Sequence, residues 1–179
     1  MNEQVICDVN LRPACLADVP LLRYWDTKAH VIAATGTDGD IDWAMEITRH
    51  PDWGEWLIAE VNGRPIGALQ IIDPEREETH YWSEAEANLR AIDIWIGEES
   101  DLGRGYGTKM MRLALERCFA EPAVKAILID PLASNRRAHR FYERLGFRRI
   151  GRRMFGDDDC LVYRLEREAW LGTRESTAD

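Results

Sequence analysis

Apolar positions along this chain fall into two rhythms. Trp56–Val61, Pro65–Ile72 and Leu89–Ile96 are dense apolar runs of strand length, and Asn62-Gly63 between the first two signals a two-residue hairpin. Val5–Leu11, Lys125–Ile129, Phe147–Arg152 and Cys160–Leu165 read as further strands, the last two joined around Gly156-Asp157-Asp158-Asp159. Elsewhere the spacing is helical. Asp18 caps a helix with Pro20 in its first turn and Leu21, Leu22 and Trp25 inside, and a short helix covers Asp42–Arg49 after the turn-rich run Thr35–Asp40. Met111, Ala114, Leu115 and Cys118 mark the inner face of a third helix, opened by the glycine-rich turn Gly103–Gly107. Ala138, Phe141, Tyr142 and Leu145 mark a fourth, which runs from Ser134 and stops at Gly146. The pattern predicts an α+β fold, a mixed, mostly antiparallel sheet of about seven strands flanked by about four helices. Residues 1–171 form a single domain, and 172–179 read as a polar, disordered tail.

Composition narrows the function classes. With 179 residues, 45% apolar and 31% charged, the chain suits one soluble domain. Its start lacks the basic flank and apolar stretch of an export signal, and no apolar run reaches membrane-spanning length, so the expected location is cytoplasmic with no membrane partner. A net charge of −9 argues against nucleic acid and suits a cationic small molecule. Cys7, Cys15, Cys118 and Cys160 are scattered, as are His30, His50, His80 and His139, which points to free thiols and no metal. Nothing here sets an oligomeric state.

Two segments carry chemistry. In Leu102-Gly103-Arg104-Gly105-Tyr106-Gly107-Thr108-Lys109 the glycines let backbone N–H groups approach phosphate oxygens at the start of a helix, and Arg104 and Lys109 add formal charge. The run is neither a Walker loop nor a dinucleotide fingerprint. About 28 residues later comes Ser134-Asn135-Arg136-Arg137-Ala138-His139-Arg140-Phe141-Tyr142-Glu143-Arg144-Leu145-Gly146-Phe147. Together these resemble the GNAT superfamily of N-acetyltransferases, whose signature is a pyrophosphate turn [QR]xxGxG/A followed by N-x-x-A-x-x-x-Y-x-x-x-G-F. The second half matches at Asn135, Ala138, Tyr142, Gly146 and Phe147; the first departs at Leu102, where the family has Arg or Gln. Asn62-Gly63-Arg64-Pro65-Ile66-Gly67, Arg90-Ala91-Ile92-Asp93, Asp130–Asn135 and Tyr142–Phe147 are similar to the aminoglycoside 6'-N-acetyltransferases within that superfamily.

The resemblance implies acetyl-CoA as co-substrate, a cationic aminosugar as acceptor, antibiotic inactivation as the outcome, and the GNAT fold. Arg104, Gly105, Tyr106, Gly107, Thr108 and Lys109 then form the pyrophosphate cradle, and backbone groups around Trp95 and Ile96 meet the thioester and pantetheine arm. Asn135 contacts that arm, its alternative being a helix cap. Tyr142 protonates the departing thiolate, its alternative being core packing. Asp93, the one carboxylate in an apolar strand, is the base and an anchor for the substrate's charge unless alternation simply turns it to solvent. Asp130 binds an ammonium group or caps a helix. Trp82, Glu84 and Glu86 wall the acceptor side or belong to a solvated acidic loop.

The chemistry sets its own demands. At pH 7 only about one alkylamine in a thousand is neutral, so a base must remove its proton and other groups must stabilise the oxyanion and leaving thiolate. Acylation of a siderophore precursor, polyamine or peptide amine meets the same demands, and a non-catalytic acetyl-CoA sensor shares the fold.

Overall fold

The computed structural model describes residues 8–36 and 41–175. One sheet contains β1 (Val9–Pro13), β2 (Gly54–Val61), β3 (Arg64–Ile72), β4 (Leu89–Ile96), β5 (Ala126–Ile129), β6 (Arg148–Phe155) and β7 (Asp158–Glu166). The strands lie in the order β1-β2-β3-β4-β5-β7-β6, and each neighbouring pair is antiparallel except β4 with β5. Six helices accompany it in the described residues: α1 (Val19–Asp26), α2 (Ala29–Thr35), α3 (Trp43–Arg49), α4 (Tyr106–Phe119), α5 (Arg136–Arg144) and α6 (Arg167–Glu175).

The sheet is the one the apolar runs predict, while α2 and α6 exceed the four expected helices. Neither displays an apolar stripe to read. In α2 only Val31 is buried. What holds α6 is mostly polar: the Arg167 guanidinium donates to the carbonyls of Val124 (2.7 Å) and Phe119 (3.0 Å), and Trp170 stacks on Phe119. It continues across Gly172 to Glu175, where the sequence suggests a tail. Val5–Cys7 of the first expected strand, the Thr37–Asp40 turn and residues 176–179 lie outside the described residues.

The Asn62-Gly63 signal has a direct cause: both residues adopt positive φ, 52° and 77°, as a tight turn between twisted strands requires. On one face of the sheet, α4 and α5 bury Met110, Met111, Leu115 and Tyr142 against Leu57, Leu69, Ile92 and Ile127. At about 1.5–3 kcal/mol for each fully buried large side chain, this packing fixes where α4 begins. The opposite face holds two separate clusters. Helices α1 and α3 set Leu22, Trp25 and Trp43 against Ile58, Ala68 and Trp95, and the segment after β3 lays Trp82 near Leu89, Ala91 and Leu128. Asp93 shares a face of β4 with Ala91 and Trp95, so it falls between those clusters and is exposed there.

Candidate active site

Strands β4 and β5 pair only from Leu89↔Ala126 to Ala91↔Leu128; beyond that the sheet opens. The Gly97 N–H donates to the Ile66 carbonyl at 2.9 Å, so by alternation Trp95 and Asp93 also turn their peptide groups toward β3. Ile94 and Ile96 turn theirs to the open edge. Trp95, expected to offer its N–H there, instead contributes a buried indole to the opposite face, and the backbone offered is that of Ile94 and Ile96. His30, which the sequence did not single out, comes from α2 and places its Nε2 3.0 Å from the Ile96 carbonyl. Only the position of α2 shows it.

The opening leads into a cleft of about 1410 Å³. At one end lie Leu102, Gly103, Gly105, Tyr106, Gly107 and Thr108. Gly105 caps α4 with φ +79°, and no side chain caps that helix. Its first N–H groups are thus left for a ligand, and space for a Cβ at Gly105 is open. This arrangement fits a pyrophosphate. Arg104 and Lys109 are exposed and stand outside the cleft lining. The turn is braced from behind: Arg64, next to the hairpin, holds Asp101 through two bonds of 2.8 and 2.9 Å. Asp101 is 3% exposed, and Arg64 chiefly, with Arg104 adding to it, keeps its carboxyl below the usual range despite burial.

From α5, Asn135 caps the helix, its Oδ1 accepting the Ala138 N–H at 3.0 Å, and also lines the cleft. Tyr142 is buried, lines the cleft and packs against Phe147. Burial pushes its phenol well above the usual tyrosine range, and the charges of Asp93 and Asp130 push it further. A second feature of α5 is legible in the sequence as a run of arginines. Arg136, Arg137, Arg140 and Arg144 fall within an arc of about 100°, and their side chains form no ion pair or hydrogen bond with a described residue. Arg136, Arg137 and Arg144 line the same cleft as the glycine turn, giving it a cationic rim in a chain of net charge −9.

The far end is acidic. Asp26, Glu46, Glu77, Asp93, Asp130 and Asp158 line the cleft away from the glycine turn, with Arg49 beside Glu46 as a counter-charge. Tyr81 donates its hydroxyl to Asp130 at 2.6 Å and stacks on Phe155. Burial raises the Tyr81 phenol strongly, Asp130 adds to this, and Asp93 adds again. Two phenols therefore register a negative field from the same carboxylate pair. Glu77 is buried and accepts from the Thr79 and Tyr81 N–H groups at 2.6 and 3.1 Å, which shapes the loop; burial alone would raise its carboxyl, but these donors hold it low. Trp82 is buried in the wall beside Phe155. Glu84 is not brought to the cleft. It is exposed at a separate recess of about 210 Å³ on the other side of Trp82, and Glu86 pairs there with Arg164. Charge density in the loop gave no way to tell Glu77 from Glu84, because that choice depends on backbone donors. Cys118 is buried on the inner face of α4, where burial pushes its thiol up to about 12 and it stays unreactive.

The model of an acetyltransferase (GNAT) domain matches residues 14–155, which span the splayed strands, the glycine turn and α5. The chain belongs to the GNAT acetyltransferase family. This acetyltransferase is 37% identical over 175 residues to aminoglycoside N(6')-acetyltransferase type 1 of Klebsiella pneumoniae, covering 93% of this chain and 87% of that protein. It is similar in structure to the aminoglycoside acetyltransferase AAC(6')-Ib in complex with coenzyme A and kanamycin, with a TM-score of 0.83 and 30% identity over 93% of this chain and 99% of that one. A complex of AAC(6')-Ib containing acetyl-CoA gives a TM-score of 0.84 at 30% identity, over 93% and 98% of the two chains.

Proposed function

We propose that this acetyltransferase transfers the acetyl group of acetyl-CoA to the 6'-amine of aminoglycoside antibiotics within a ternary complex. The observation that carries this reading is one cleft with two opposite ends, an uncapped helix start rimmed by arginines and a group of six carboxylates, meeting at the β4–β5 opening. The first end suits a polyanionic cofactor and the second a polycationic acceptor. The named relative and the two solved enzymes support that choice of acceptor.

Acetyl-CoA supplies an acetyl group activated as a thioester. The N–H groups of Gly105–Thr108 and the Arg136–Arg137 rim hold its phosphates, and the Ile94 peptide groups and Ile96 N–H on the open edge align the acyl end, the Ile96 carbonyl being engaged by His30. Asp93 accepts the proton of the attacking amine, directly or through water, and with Asp130 anchors the ammonium groups around it. Tyr142 keeps its proton because burial and two nearby carboxylates disfavour its phenolate, so its O–H is a hydrogen-bond donor for the departing thiolate. Thiol release from acetyl-CoA, measured with kanamycin, spermidine and a lysine hydroxamate in parallel, tests this reading. Release with kanamycin alone is expected; release with another acceptor instead, or with none, would reject it.

A further inference from the structure

Directly across from Asp93, on the neighbouring strand, stands Gln70. Trp56 is the next residue in the same row, and Trp95 lies two positions along β4 on the same face. All four line the cleft. Gln70 is only 9% exposed, and its side-chain amide makes no hydrogen bond with any described residue. Beside it the three indoles of Trp43, Trp56 and Trp95 pack together, Trp56 edge-on to the other two, with centroids 4.8 to 6.2 Å apart, and the indole nitrogens of Trp56 and Trp95 are buried without a partner. Buried polar groups are nearly always paired, and each exception calls for a reason. Here two such exceptions, the indole nitrogens of Trp56 and Trp95, share one wall with Gln70, whose amide lines the cleft next to Asp93.

We infer that Gln70 is a specificity-determining residue, reading a hydroxyl of the sugar ring that carries the reacting amine; this rests on the aminosugar reading above. An amide offers both a donor and an acceptor, the complement of a hydroxyl, whereas the protonated amines of an aliphatic polyamine are donors only and leave the amide N–H groups unpaired. Opposed residues of a strand pair stand about 5 Å apart. An amine at Asp93 therefore brings the nearest hydroxyls of its ring, at the 4' and 3' positions, within reach of Gln70. The contact forms against the tryptophan wall, and an acceptor that covers the amide without pairing it carries a penalty.

Gln70→Leu removes both hydrogen-bonding functions at similar size. Because an unpartnered buried amide is replaced by an apolar group, the free protein is expected to keep or raise its Tm. Initial rates are compared for kanamycin B and its 3',4'-dideoxy derivative. With kanamycin B, kcat/KM is expected to fall by about 10–100-fold in the variant, and with the dideoxy compound by less than about threefold, while the KM for acetyl-CoA stays unchanged. Gln70→Asn, which keeps the amide but shortens it, is expected to fall between parent and Gln70→Leu with kanamycin B. Equal losses on both substrates, or no loss on either, would overturn the assignment. A parent enzyme that acetylates neither compound rejects the aminosugar reading itself, so the two failures are distinct. If Gln70→Leu loses Tm instead, the amide is structural and the inference falls.

Discussion

Replacing Arg64 by methionine keeps most of the side-chain length and removes the guanidinium that braces the glycine turn. The carboxylate it leaves behind, Asp101, is 3% exposed and has lost two bonds of 2.8 and 2.9 Å. Charge-assisted bonds contribute about 1.5–3 kcal/mol each when buried. The Arg64 side chain, however, is 53% exposed, so screening and side-chain entropy offset much of that. A net loss of about 2 kcal/mol remains, which at about 2–4 °C per kcal/mol lowers Tm by about 4–8 °C. Thermal unfolding followed by circular dichroism measures it. The pH dependence has a definite sign. Asp101 titrates below its ordinary value chiefly through Arg64, so its contribution is fully present above the unfolded carboxyl pKa of about 4 and is lost as pH falls through the folded value. The gap between parent and Arg64→Met should therefore be complete at pH 7 and narrow below about pH 4. Because Asp101 leads directly into the turn, the Kd for acetyl-CoA should rise as well. An unchanged Tm at pH 7, or a gap that widens in acid, would refute the bracing role.

Asp93→Asn should lower turnover with kanamycin by about 10²–10⁴-fold with little change in the Kd for acetyl-CoA, and raising the pH should restore part of the rate by supplying neutral amine. Near-parental turnover in the folded variant would move the base elsewhere. Gly105→Val forces a β-branched residue to φ +79° at the start of α4. It should abolish the Tm increase that acetyl-CoA gives the parent, checked by thermal shift with and without ligand. Neutralising Arg136, Arg137 and Arg144 together to Gln should weaken acetyl-CoA binding and flatten its salt dependence while sparing the KM for kanamycin. Titrations at two ionic strengths with parental slopes would exclude that rim.

The sheet could be read from the sequence because its strands carry dense apolar runs and its first hairpin an Asn-Gly turn, signals that act over a few residues. The glycine turn and Asn135–Phe147 were legible for the same reason. Helices α2 and α6 were not, since one buries a single valine and the other is anchored by Arg167 to distant carbonyls. The acceptor end was legible only in outline. Asp93 stands out as a carboxylate within a strand and Asp130 as one just past the end of another, but Tyr81, Gln70 and His30 gain their roles from register and crossing elements that no local pattern encodes. Glu84 and Glu77 look alike in sequence, and only the N–H groups of Thr79 and Tyr81 decide which one turns inward.

The central claim is that the acidic end of the cleft presents the 6'-amine of an aminosugar to the opening between β4 and β5. Two-dimensional NMR of kanamycin after exhaustive reaction with the enzyme and acetyl-CoA tests it most directly. The account predicts a single product whose new acetyl signal correlates with the 6'-methylene protons. An acetyl group on any ring amine, or recovery of unmodified kanamycin, would contradict it.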